Sequence, residues 1–204
     1  MKQPTPVPTD SRVRRTRTVI QEAFISLTVE KGYGAITVQD IVDRAQINRS
    51  TFYRHYLDKD DLLSKYMDEV TGVTFKDEVM DEPIDQQGIP TGLVKLLNHI
   101  QTFSAFYCIM LNANGHPLVS DRLRRKIENR FRERLMKDPV RDSKNPFLEM
   151  RLRYISGAGI GAILWWVENN MPCSAEELAL WVIELGTANL DVSLRPVDYP
   201  TKSY

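Results

Sequence analysis

The chain has 204 residues, of which 42% are hydrophobic and 26% charged, and 27 Lys/Arg are balanced by 27 Asp/Glu. That length suits one large domain or two small ones, and the composition argues against both a disordered and a membrane protein. No window approaches the roughly 18–20 apolar residues needed to span a bilayer.

The start, MKQPTPVPTDSRVRR, has no apolar stretch after its charges, so neither a signal peptide nor an anchor is expected and the cytoplasm is the expected location. A net charge of zero gives no support to a nucleic-acid partner, but its distribution does. Residues 1–60 hold ten Lys/Arg against seven Asp/Glu. Arg12, Arg14, Arg15 and Arg17 fall within six positions, where they could either meet phosphates or simply be solvated.

Residues 1–10 carry three prolines and no periodicity, and are expected to form a disordered tail. Ile20, Ala23, Phe24 and Leu27 then recur at i, i+3, i+4 and i+7, which predicts an amphipathic helix from about Arg12 to Lys31. Gly32 and Gly34 are the expected stop. Thr37 is placed to cap a short second helix burying Ile41, Val42 and Ala45. After the break Gln46-Ile47-Asn48, a third helix is predicted, with Asn48 as its cap and Phe52 and Tyr56 facing inward. Asp58 is the expected cap of a fourth.

The stretch from Asp81 to Gly92, with two prolines and two glycines, reads as a loop. Beyond it Leu93, Leu96, Leu97, Ile100, Phe103 and Tyr107 keep helical spacing, followed by Leu123, Ile127, Phe131 and Leu135 on a helix whose arginines are expected to be solvated. From Tyr154 to Val167 there is no charged residue, so a helix covered on nearly every side is expected, by protein because fourteen residues cannot cross a membrane. Ser174 is the expected cap of a last helix carrying Leu178, Trp181, Val182 and Leu185. Residues 195–204 read as a tail. No segment alternates as a strand would, so the predicted class is all-α.

Two short helices joined by three or four residues, the second polar on its outer face, are the requirement for a helix-turn-helix. The segment 37–59, TVQDIVDRAQINRSTFYRHYLDK, meets it. With Phe52 and Tyr56 inward, Ser50, Tyr53 and Arg54 point out, and the first residues of such a helix go deepest into the major groove. Arg49, Ser50 and Tyr53 are therefore the base-reading candidates: arginine can bond a guanine edge in bidentate fashion, and a hydroxyl or aromatic group can reach a thymine methyl or a phosphate. Decoration of the surface is the competing reading.

Residues 17–63, with KGYGAITVQDIVDRA followed by STFYRHYLDKDDLL, resemble the tetracycline-repressor (TetR) family of bacterial regulators. The resemblance implies a three-helix DNA-binding domain over residues 11–62, a helical regulatory and dimerisation domain over 63–194, and a homodimer on double-stranded DNA. By position it implies base contacts from Arg49, Ser50 and Tyr53 and phosphate contacts from Thr37, Gln39, Thr51, His55 and Lys59, with Arg54 able to reach either. One position departs from the family pattern: the turn, usually glycine, has Gln46, which a positive φ would strain.

In the second half ISGAGIGAILWWVENNMPCSAEELA resembles Gram-positive members of the family, regulators of dihydroxyacetone kinase operons among them. The resemblance implies a four-helix dimer interface, for which Gly157, Gly161, Trp165, Trp181 and Leu185 are the candidates; packing within one chain is the alternative. Phe103, Phe106, Tyr107, Met110, Phe131 and Tyr154 are candidate lining for a small apolar or aromatic effector, or plain core. Cys108 and Cys173 read as reduced thiols, and His99 and His116 have no partners at metal-ligand spacing, so no metal or cofactor is expected. No nucleophile–base pair or phosphate loop is found, and GAGIG lies in a strandless context, which argues against an enzyme. The reading is thus a DNA-binding regulator, with repression and release by an effector expected; a regulator answering to a protein partner is the alternative.

Overall fold

A computed structural model describes residues 8–72, 89–112, 115–136 and 146–191, with side chains described for 11–72, 89–112, 115–132 and 146–187. The first helix, α1 (Pro8–Lys31), starts within the expected tail, so residues 8–10 are helical rather than irregular. It ends where Gly32 takes φ 76°, a conformation costly for a side chain with a Cβ. Gly34 needs no such freedom and sits in a short 3-10 turn, Tyr33–Ala35. Three short helices follow: α2 (Val38–Arg44), α3 (Arg49–His55) and α4 (Lys59–Thr71). The 62/63 domain boundary expected from the sequence lies inside α4, between the fully buried Leu62 and Leu63.

Local chemistry accounts for the helix starts. Thr37 and Asp40 form a reciprocal capping box on α2, and Asp58 accepts from the Asp61 amide at 2.8 Å. Asn48 precedes α3 but makes no side-chain cap bond, contrary to expectation. Its polar group is left to solvent, and α3 is held by packing instead.

The body consists of α5 (Thr91–Thr102), α6 (Ser104–Leu111), α7 (Pro117–Met136), α8 (Pro146–Glu168) and α9 (Ala175–Asp191). The expected continuous helix through Tyr107 breaks at Phe103, where φ −113° and ψ 35° leave the helical region. Ser174 and Glu177 box the start of α9, with Ser174 Oγ accepting from the Glu177 amide at 3.1 Å and the Ser174 amide donating to Glu177 at 2.8 Å. Residues 1–7, most of the expected 81–92 loop, the 195–204 tail and the Leu135 side chain lie outside the described residues.

One core runs through both halves. Ile20, Phe24, Phe52 and Met67 of the N-terminal helices and Ile100, Phe106, Tyr107, Val119 and Trp166 of the body belong to a single buried cluster. Phe24 meets Phe106 edge-on at 6.1 Å, and each such ring contributes about 1.5–3 kcal/mol by burial. Arg122, Arg124 and Arg132 of α7 are tied to acids, whereas Arg125 is exposed as expected. Arg122 pairs with Asp68 of α4 at 2.9 Å and Arg132 with Glu149 of α8 at 2.7 Å. Among the described residues no helix is long and apolar enough to cross a membrane.

Candidate nucleic-acid interface

The interface is built around α3. Phe52 is fully buried and Tyr56 nearly so, which fixes the rotation of a helix only seven residues long. The opposite surface then presents Arg49, Ser50, Tyr53 and Arg54, all exposed, with Thr51 and His55 half-buried at its edges. Tyr53 stands edge-on to Phe52 at 5.5 Å. Arg49 donates to the Tyr53 hydroxyl at 3.3 Å while its guanidinium lies 5.6 Å from the ring centroid. The two side chains thus hold each other on the exposed surface of α3.

The turn before α3 is compact: the Gln46 amide donates to Asp43 at 3.2 Å and the Ile47 amide to Val42 at 3.0 Å. Gln46 has φ 52°, the left-handed conformation that glycine adopts without strain. The departure at this position therefore changes the side chain but not the turn.

On α2, Thr37 and Gln39 are exposed on the approach to α3. The Thr37 hydroxyl donates to Asp40 at 2.6 Å, and Gln39 donates to Asp43 at 2.8 Å, leaving one amide hydrogen. Arg44 binds Glu30 of α1 in a two-pronged contact, at 2.6 and 2.7 Å, which locks α2 onto α1. Lys59 is turned inward. Its ammonium donates to the carbonyls of Tyr33 at 3.1 Å, Gly34 at 3.4 Å and Ile36 at 3.0 Å, and it sits 4.7 Å from the Tyr33 ring centroid. An ammonium has three donors, and all are engaged.

Tyr33 lies outside the site expected from the sequence, where KGYG reads only as the stop of the first helix. Its hydroxyl donates to Asp60, so both burial and the neighbouring carboxylate push its ionisation well above the usual phenol range. Its ring packs against His116, in the connection between α6 and α7, at 4.8 Å. His55 is depressed below its ordinary value by partial burial and by the positive charges of Arg17, Arg54 and Lys65.

The expected effector lining is not brought together. Phe106, Tyr107 and Met110 are fully buried in the main core with Phe103 at its edge. Phe131 belongs to a separate cluster with Leu148, Leu152 and Ile155, and Tyr154 is 64% exposed on α8. The correction for Tyr154 follows from helix phase: it lies on the side of α8 opposite Leu152, Ile155 and Ser156. His99 is not isolated, since its Nε2 lies 2.8 Å from the Tyr66 hydroxyl. Among the described residues no group of three or more His, Cys, Asp or Glu is placed to hold a metal.

The charge-free stretch of α8 is also not covered all round. Tyr154, Gly157, Ala158, Gly161 and Trp165 form an exposed stripe, and α9 leaves Trp181 43% exposed and Leu185 68% exposed.

Residues 20–66 match the family model for bacterial regulatory proteins of the tetR family, and residues 87–185 match that for a transcriptional regulator C-terminal region. A 55-residue segment is 47% identical to the uncharacterised HTH-type transcriptional regulator YxbF of Bacillus subtilis, covering 26% of this chain and 14% of that protein. Over 92 residues the chain is 29% identical to the HTH-type dhaKLM operon transcriptional activator DhaS of Lactococcus lactis, covering 45% of this chain and 46% of that protein. These matches span less than half the length of either curated relative. A TetR transcriptional regulator from Streptococcus agalactiae has the same fold, with TM-score 0.60 and 25% identity over 87% of this chain and 97% of the other. With its two halves matched in order by these models and the fold shared over 87% of its length, the chain belongs to the tetR family of bacterial regulatory proteins.

Proposed function

We propose that the chain is a cytoplasmic, sequence-specific transcriptional regulator that binds a palindromic operator as a homodimer, residues 11–62 forming the DNA-binding head and 63–194 the body. The observation that carries this reading is the exposed Arg49–Tyr53 pair on a helix rotated into place by buried Phe52 and Tyr56. Arg49, Ser50 and Tyr53 read base edges, and Thr37, Gln39, Thr51, Arg54 and His55 position the backbone. The apolar stripe on α8 and α9, centred on Gly157, Gly161, Trp165, Trp181 and Leu185, is the face that a second copy covers. Two heads then meet half-sites about 34–36 Å apart or a multiple of that spacing.

Repression with release by a small apolar or aromatic effector is the proposed direction, because occupancy alone blocks polymerase. The sequence similarity to an operon activator favours activation as the second reading. The effector would displace the aromatic packing of Phe103, Phe106, Tyr107 and Met110.

Arg49→Ala and Tyr53→Ala should each weaken operator binding by about 1–3 kcal/mol and relax base preference. Titration of an operator selected from a random duplex library measures both. Equal affinity and equal base preference for wild type and both variants would remove α3 from the recognition role.

A further inference from the structure

Helix α1 begins at Pro8, yet its first buried residue is Ile20. Residues 11–19 are all exposed or half-buried, so the helix runs roughly 14 Å before it meets the core. This stretch, SRVRRTRTV, holds four arginines and no acid. Packing does not explain them. Nor does helix stability, since like charges three apart repel and positive charge at a helix N-terminus opposes the backbone dipole.

Their surroundings leave them available. Thr16 and Thr18 turn their hydroxyls back onto the carbonyls of Arg12 and Arg14, at 2.9 and 3.1 Å. Arg17 stands 3.9 Å from Glu69, both about half exposed, a pairing that water largely screens. At about 100° per residue, Arg14 and Arg17 share the side of α1 that carries Gln21, whose amide donates to Glu69 at 2.8 Å. That side adjoins the end of α3, where the field of Arg17 joins those of Arg54 and Lys65 at His55. The side of α1 that carries Arg14 and Arg17 is therefore continuous with the proposed DNA-facing surface, whereas Arg12 and Arg15 lie about 120–180° round the helix from it.

We propose that the N-terminal turns of α1, through Arg14 and Arg17, form a second DNA-binding element that holds phosphates flanking the half-site read by α3. The element carries no base preference: guanidinium groups on an exposed helix meet phosphate oxygens, and the charge that disfavours the free helix is neutralised on binding. This rests on the operator-binding reading, and the test separates the two.

Wild type selects an operator from a random duplex library. Wild type, R14Q/R17Q and R49A are then titrated, over a range of salt, on that operator with flanking DNA and on a duplex trimmed to the half-site edges. Glutamine keeps helix propensity, and an unchanged thermal midpoint verifies the fold. The double variant is expected to keep wild-type base preference on the flanked duplex while its plot of log affinity against log salt is shallower by about 3–4, near 0.9 for each phosphate that the four arginines of the dimer no longer neutralise. Trimming should weaken wild type and leave the double variant unchanged. Equal affinity and slope for wild type and double variant on the flanked duplex, with R49A impaired, would overturn the α1 element and leave the α3 reading intact. Failure of wild type to enrich any sequence would overturn both.

Discussion

Replacing Lys59 with methionine separates a structural role from a DNA-contacting one. The thioether side chain keeps most of the apolar stem and deletes the charge. The substitution removes two hydrogen bonds of 3.0 and 3.1 Å, a longer one of 3.4 Å, and the cation over the Tyr33 ring at 4.7 Å. Charge-assisted hydrogen bonds contribute about 1.5–3 kcal/mol when buried. Lys59 is only half-buried and the freed carbonyls can rehydrate, so the set is worth about 1 kcal/mol here. The ring contact adds about 0.5–1 kcal/mol. The sum is about 2 kcal/mol, which for a domain of this size lowers the thermal midpoint by about 4–8 °C. Circular-dichroism melts measure that, and operator titrations at several salt concentrations should show an unchanged salt slope, because the ammonium faces carbonyls rather than phosphate. An unchanged melt together with a slope shallower by about 2, near 1 for each copy in the proposed dimer, would refute the reasoning and show that the ammonium leaves the loop for the DNA backbone.

Gln46→Gly should raise stability by about 0.5–1 kcal/mol in urea denaturation, since it relieves a left-handed non-glycine residue; a decrease would show that the Gln46 side chain has a stabilising role of its own. A Cβ at Gly161 meets nothing within 4 Å, whereas one at Gly186 comes within 2.5 Å of the Phe131 ring. Gly161→Leu should therefore leave the protein folded and shift sedimentation from dimer towards monomer, and Gly186→Ala should cost about 1–3 kcal/mol by overpacking α9. Asp40 is held well below its ordinary value of 3.8 by Lys31, then by the Thr37 hydroxyl and amide. A depressed carboxylate stabilises fully above its unfolded value and loses that contribution as pH falls below it. Urea midpoints between pH 7 and acid should accordingly fall less steeply below about pH 4 for Asp40→Asn than for wild type.

The helices of the head were legible because each is specified locally. The stripe Ile20–Leu27 fixes the buried side of α1, Thr37 and Asp58 terminate loops by capping, and Phe52 with Tyr56 sets the phase of α3. Asn48 was the exception, since a residue able to cap need not do so when packing already holds the helix. The break at Phe103 was hidden because Phe103 and Tyr107 remain four apart and both keep apolar surroundings across it. The inward turn of Lys59 and the place of Tyr33 depend on residues about 25 positions apart meeting in space, which no local spacing records. The dispersal of Phe131 and Tyr154 has the same origin. Aromatic character marks burial in general, whereas membership of one cavity depends on how α7 and α8 are rotated. The charge-free run of α8 was visible, but a lack of charge does not tell which partner covers it.

Helix α4 has one further mechanical consequence. It is an unbroken beam of thirteen residues, pinned at its start by Lys59 to the loop after α1 and near its far end by Asp68 to Arg122 of α7. A beam about 20 Å long that tilts about its far end carries its near end about 0.3 Å for each degree. In a symmetric pair the displacement acts on both heads at once. A tilt of about five degrees in each copy, with the heads moving apart, changes the separation between them by about 3 Å, close to the rise of one DNA base pair. In the proposed homodimer, register with the operator would then follow from how firmly the Asp68 end is held.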